Sequence, residues 1–443
     1  MKSVNIFLII SIISFTNILG QSYFENLNAR RDTVIKWIKN ESKELHSVNV
    51  ETNFDDFIFL KSLLKDKKVV GLGEFSHGTK EVFQMKHRLL EFLVQEMGFK
   101  IFAIEASPIG CQAINNYILN GVGTSREVLP KQGFWIWNTE EMIVMIEWMR
   151  AYNLKVSSMD KIEFIGIDRQ SVALDDAKKN VQEFIANNRV DKVLNLEDDT
   201  LFDNKEFKSD LSVKRQKLYE VISYFVLNST ELIENSSINE YSIAFRNLQL
   251  IVKGIESGDL RLQANTNYNI RDNYMAQAVL DLLRSQNKKI VLWAHNGHIS
   301  MNPDEETNGY PRPMGSTIKK YLGEFYYPIG FSTYQGTYQA KNFIPPITSI
   351  KGVATFELPP AKEGSLDWYL NQANKKISFI DFTKDHKPRA VLDFLNNEIE
   401  MYYTGAGWSS TYVVPPKNTI IPGKSFGGMI FIKETSRAEL MKS

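Results

Sequence analysis

Glu74 and His77 stand three residues apart in VVGLGEFSHGTKEVF, residues 69–83. An apolar run loosens at Gly71 and Gly73, and a helical pattern opens at Thr79, so the pair occupies a turn between a strand and a helix. A neutral imidazole on such a turn can take a proton from water. A carboxylate beside it fixes the tautomer, and the positive end of the following helix favours the neutral ring. The simpler alternative is a capping acid next to a turn histidine.

Three further places carry chemistry. Glu105 lies in FAIEA and Asp168 in GIDRQS. A carboxylate at the end of a buried strand is unfavourable unless paired, so each either serves a site or meets a cation from a neighbouring strand; Asp168 can also cap the next helix. His295 and His298 lie in LWAHNGHIS. With nearby carboxylates such a pair could bind zinc. It follows a strand rather than lying within a helix, unlike the H-E-x-x-H arrangement, and a second base or an oxyanion donor suits it as well. Trp135 and Trp137 in FWIWNTEEM precede a helix starting near Asn138 or Thr139, where Asn138 and Glu141 have capping-box spacing. The two indoles can wall a pocket for a large apolar ligand, whereas Trp148 and Met149 read as core.

These residues need a frame. KKVVGLGE (67–74), FKIFAIEA (99–106), KIEFIGID (161–168) and KKIVLWAH (288–295) share one grammar: a basic residue at or next to the start, a mostly apolar run, then Glu, Glu, Asp or His at or next to the end. Short runs without alternation suit strands buried on both faces. A helical stripe follows from Thr79 to Met97, with Gly98 as the stop. The pattern predicts an α/β fold with a mostly parallel central sheet flanked by helices and an inserted helical lobe. In such sheets ligands bind at the carboxyl ends of the strands, which would gather Glu74, His77, Glu105, Asp168, His295 and His298 on one rim.

The expected organisation is an α/β core over 21–171, a helical lobe over 172–285 and the rest of the core over 286–443. Amphipathic stretches at 174–185, 213–233 and 241–255 define the lobe, with polar turns such as NLEDDTLFDN between them. Asn, Pro and Gly cluster at 302–315 as a loop, and YYPIGFSTY, KISFIDF and GGMIFIKE are strand-like.

Composition bounds the function. Lys+Arg and Asp+Glu are both 52 in 443 residues, so no basic field invites nucleic acid. The single cysteine, Cys111, is expected as a buried small hydrophobe. MKSVNIFLIISIISFTNILG has the charged-then-apolar order of a signal peptide over 1–20, with cleavage near Gly20–Gln21. The expectation is an exported protein, periplasmic or secreted, without a membrane partner once the signal is removed. No nucleophile elbow, phosphate-binding loop or dinucleotide fingerprint is present, so for a hydrolase the nucleophile is expected to be water.

GLGEFSHGTKEVFQMKHRLLEFLVQEMGF with FAIEAS, WIWNTEEM…WMRAYN, FIGIDRQS, RDNYMA and LWAHNGHIS resembles the erythromycin esterases, as an ordered set over about 69–330. The resemblance implies hydrolysis of a macrolide lactone by an activated water, with no covalent intermediate and no cofactor. His77 matches the general base, Glu74 and Glu105 the carboxylates that position water and base, and His295 a second essential imidazole. His298 matches a substrate-side residue, a role extended to Lys86, Arg88, Asp168, Trp135 and Trp137. The family usually has Arg where this chain has Lys86, while Arg88 is kept; Lys keeps the charge and loses the bidentate fork. The implied partner is a small ester or macrolide. A metal-dependent hydrolase on the same His/Glu set and a non-catalytic binding protein remain as alternatives.

Overall fold

The computed structural model describes residues 28–50, 53–168, 174–194, 196, 211–257, 268–304, 312–344, 349–409, 411 and 416–442. The expected signal peptide, most of the polar turn at 195–204 and the middle of the 302–315 loop lie outside the described residues. The chain divides into two compact units. The first comprises Met1–Val48, Glu74–Val82 and Ile329–Arg437; the second comprises Asn49–Gly73, Phe83–Pro328 and Ala438–Ser443.

The fold is α/β. In the second unit β1 (Val69–Leu72), β2 (Phe99–Ile104), β3 (Glu163–Gly166) and β4 (Lys289–Trp293) form a parallel sheet in the order β1-β4-β2-β3. Leu72 pairs with Trp293, Ile104 with Trp293, and Ile104 with Gly166, so the strand ends are in register. Val69, Val70, Leu72, Phe102, Val291 and Leu292 are fully buried, as two covered faces require.

Helices follow the strands: α1 (Lys80–Met97), α2 (Pro108–Asn120) and α3 (Glu140–Asn153). Gly98 ends α1 at φ 73°, a left-handed conformation that glycine adopts without a Cβ clash. Thr139 caps α3, its hydroxyl accepting from the Met142 N–H at 3.3 Å. Asn138 is not the cap, because its side-chain oxygen accepts from Gln132 Nε2 at 3.0 Å.

Helices α4 (Leu174–Asn187), α5 (Leu211–Leu227), α6 (Ser229–Asn235) and α7 (Ile238–Ser257) share an apolar core that includes Val181, Phe184, Leu218, Phe225, Leu232 and Leu248. The stretch at 213–233, read as one helix, is two. Asn228 breaks it by donating its side-chain amide to the Tyr224 carbonyl, a local bond that competes with helix continuation. Helix α8 (Tyr268–Gln286) packs on β4.

The first unit has a mixed sheet. Its strand β8 (Gly428–Thr435) lies parallel to β5 (Tyr326–Ile344) and antiparallel to β7 (Ile377–Asp381), and β5 carries the antiparallel β6 (Ser349–Leu358).

Candidate active site

In the first unit, the turn at 74–79 is pinned by backbone from far along the chain. Phe75 O accepts from Thr404 N at 2.8 Å, and Gly78 O accepts from Gln339 N at 3.0 Å. A Cβ on Gly78 would lie 2.1 Å from the Gln339 carbonyl oxygen, so only glycine permits this approach. Ser76 Oγ accepts from the Gly78 N–H at 3.2 Å. Just beyond, Ser436 donates its N–H and its hydroxyl to Glu81, each at 2.6 Å. On this fixed loop Glu74 Oε1 lies 2.6 Å from His77 Nδ1, with both side chains buried. An acceptor at Nδ1 selects the tautomer protonated there and places the lone pair on Nε2, the form that acts as a base.

In the second unit, the strand ends deliver a different assembly. Asp168 N donates to Ala106 O at 2.9 Å and Glu105 N to Trp293 O at 3.0 Å, which extends the sheet pairing past the strands. Arg271 reaches in from α8. Its Nη2 donates to Glu105 Oε1 and to Asp168 Oδ2, each at 2.6 Å, and its Nε donates to Asp168 Oδ1 at 3.0 Å. Burial alone would push this guanidinium down, but Asp168 and Glu105 outweigh it and hold it firmly charged. His298 completes the cluster. Its Nδ1 lies 2.9 Å from Asp272 Oδ1, while its Nε2 lies 3.0 Å from Arg271 Nη1 and 3.3 Å from Glu105 Oε1. Burial opposes a charge on the ring, but Asp272 and Glu105 prevail and push its pKa up to about 10. Asp272 and Glu105 against one guanidinium favour the protonated ring.

His295 sits two residues past the end of β4 and caps the short helix Asn296–Ile299. Its N–H donates to Glu105 Oε2 at 3.0 Å, and its Nδ1 accepts from Gly297 N at 3.3 Å. That selects the tautomer with the proton on Nε2, a hydrogen-bond donor rather than a base. Gly73 makes room here: a Cβ on it would lie 2.1 Å from Asn296 Oδ1.

The remaining candidates are more deeply set. Trp137 is fully buried and its indole N–H donates to the Glu105 carbonyl at 2.9 Å; it packs edge-on against Trp293, with ring centroids 6.1 Å apart. Trp135 is only partly buried. Lys86 is buried with its ammonium 3.9 Å from the Trp293 ring centroid. Arg88 is buried in a two-pronged ion pair with Asp56, at 2.5 and 2.9 Å, and also donates to Asn53 O. Cys111 is buried on α2, and burial pushes its thiol up. Among the described residues, no three His, Cys, Asp or Glu side chains are grouped to hold a metal ion.

Arg271 and Asp272 were not singled out by type and spacing, although they open the RDNYMA segment. The available signal was position: Arg271 lies on the same helical stripe as the buried Met275, Ala278 and Leu282.

The family profile described as erythromycin esterase matches residues 94–435, which takes in Glu105, Asp168, Arg271, Asp272, His295 and His298. The chain belongs to the erythromycin esterase family. An erythromycin esterase type II of Escherichia coli is 27% identical over 383 residues, covering 78% of this chain and 88% of that protein. Among solved structures, a Bacillus cereus protein superposes with a TM-score of 0.74 at 24% identity, covering 93% of this chain and 99% of that one. A mutant of the erythromycin esterase EreC in its open conformation superposes with a TM-score of 0.64 at 17% identity, covering 91% of this chain and 100% of that one. These two likenesses concern the fold. Membership of the erythromycin esterase family supports a hydrolase, and the Glu74–His77 turn precedes the segment that the family profile matches.

Proposed function

We propose that this chain hydrolyses a carboxylic ester, of which a macrolide lactone is the leading candidate, by a water that His77 deprotonates. The observation that carries the reading is the 2.6 Å contact from Glu74 to His77 Nδ1, which leaves the basic lone pair on Nε2. Water attacks the ester carbonyl carbon as Nε2 takes its proton. The tetrahedral oxyanion is met by an N–H donor, a role we give to His295 Nε2. Collapse breaks the bond to the alkoxy oxygen, which receives the proton from His77; one ester and one water become one acid and one alcohol. Glu105 positions His295 through its backbone N–H, with Arg271 and Asp168 holding Glu105 in turn. We give the substrate-side role to His298 and to Trp135, which is only partly buried; Lys86, Arg88, Asp168 and Trp137 are fully buried, which argues against their touching substrate.

The test is mass spectrometry of a 14-membered macrolide incubated with the purified protein and, in parallel, with His77→Ala. A gain of one water with the wild type alone supports lactone, hydrolase and base together. Turnover of a p-nitrophenyl ester without change in the macrolide keeps the hydrolase and removes the macrolide. Equal rates for the two proteins would sink His77 as the base. Export is proposed alongside, and N-terminal sequencing of protein recovered outside the cytoplasm should start near Gln21.

A further inference from the structure

The helical lobe of the second unit contains a cavity of about 240 Å³. Ile233, Ile238, Tyr241 and Phe245 give it apolar walls, and the Tyr241 and Phe245 rings lie stacked with centroids 5.8 Å apart. Arg246 lines it too. This arginine is 2% exposed, and none of its three guanidinium nitrogens has a hydrogen-bond partner among the described residues. A buried, unpaired guanidinium is one of the least favourable groups a fold can carry, because it is always charged and presents five donors. Other charges on the cavity are already matched: Asp281 accepts from Arg284 at 3.3 Å and from Gln277 at 2.8 Å. The Arg284 side chain is 73% exposed, so the cavity reaches solvent on that side.

We propose that this cavity binds a small aryl carboxylate, its carboxylate forked onto the Arg246 guanidinium and its ring against the Tyr241–Phe245 face. Each property of the ligand follows from a wall. A planar guanidinium matches a carboxylate bidentately. One unpaired guanidinium balances a single negative charge, which suits a carboxylate better than a phosphate dianion. A cavity of roughly 150 Å³ accepts benzene, and drug-sized ligands take about 300–1,000 Å³, so one ring with a short acid arm fits. No residue proposed for ester hydrolysis lines this cavity.

Ligand-observed proton NMR titration of the full chain with phenylacetate and with phenylacetamide tests the proposal. Phenylacetate should saturate a single site, and the neutral amide should bind at least about tenfold more weakly. Arg246→Gln should weaken phenylacetate by at least about tenfold while ester hydrolysis is unchanged. Ser242 also lines the cavity, and Ser242→Phe, which fills it and keeps the arginine, should abolish binding. Absence of saturable phenylacetate binding, equal affinity for acid and amide, or undiminished binding by Arg246→Gln would each overturn the site. If Arg246→Gln does not fold, the comparison of acid with amide in the wild type decides alone.

Discussion

The Glu74–His77 turn and the Arg271 cluster are both buried polar assemblies, yet they are built to opposite ends. On the turn, the Glu74 carboxylate meets the His77 imidazole in a short hydrogen bond, and the backbone around them is clamped by Thr404 and Gln339. In the cluster, Glu105, Asp168 and Asp272 surround Arg271 and His298 with at least seven close polar contacts. A cross-braced network resists any change, because each charge stabilises several others. On the proposed mechanism the turn moves a proton, and the cluster holds His295 where it is needed.

This contrast can be broken at either end. The largest effect is expected at the turn: His77→Ala should lower kcat/KM by roughly 10²–10⁴-fold, the usual worth of a general base, with little change in the thermal midpoint. If stability collapses instead, the turn is structural and the contrast fails. Arg271→Met should do the reverse. It strips the shared cation from two buried carboxylates and should destabilise the fold by about 3–5 kcal/mol, read from urea unfolding.

The charge on His298 sharpens the comparison further. Its folded pKa of about 10 lies above the ordinary 6.5, so the protonated ring stabilises the folded state. That contribution is complete below about pH 6.5 and fades as pH rises through about 10. Urea midpoints should therefore fall between about pH 7 and about pH 9.5, and Asp272→Asn, which removes the principal partner, should flatten the slope. A wild-type midpoint independent of pH over this window would show that the cluster holds a neutral ring. The smallest effect is expected at Trp137→Phe. It leaves the buried Glu105 carbonyl without its indole donor, and should lower stability by about 1 kcal/mol in the same urea assay.

The frame of the second unit was legible because its signals are local. The four runs at 67–74, 99–106, 161–168 and 288–295 each announce a buried strand, and each carries a titratable side chain at or next to its end. Glu105, Asp168 and His298 do come together, as strand-end placement implied. What joins them was hidden. Arg271 lies on a helix, where a charged residue normally reads as a solvated face; only its place on the stripe of Met275 and Ala278 marks it as buried. The surroundings of Lys86 and Arg88, given a substrate-side role by resemblance, were hidden likewise: Trp293 and Asp56 enclose them from other elements. The break at Asn228 and the cap at Thr139 turned on single side-chain hydrogen bonds, which spacing alone does not resolve.

The clamping of the His77 turn also bears on how the chain is made. Its holding partners, Gln339, Thr404 and Ser436, are synthesised long after it, across connections with high loop-closure entropy. During vectorial synthesis the turn must wait, unsupported, until the last strands emerge. If His77 is the base proposed above, loss of a short C-terminal stretch would then abolish hydrolysis at a histidine about 360 residues away, through the missing clamp on Glu81 and Lys80.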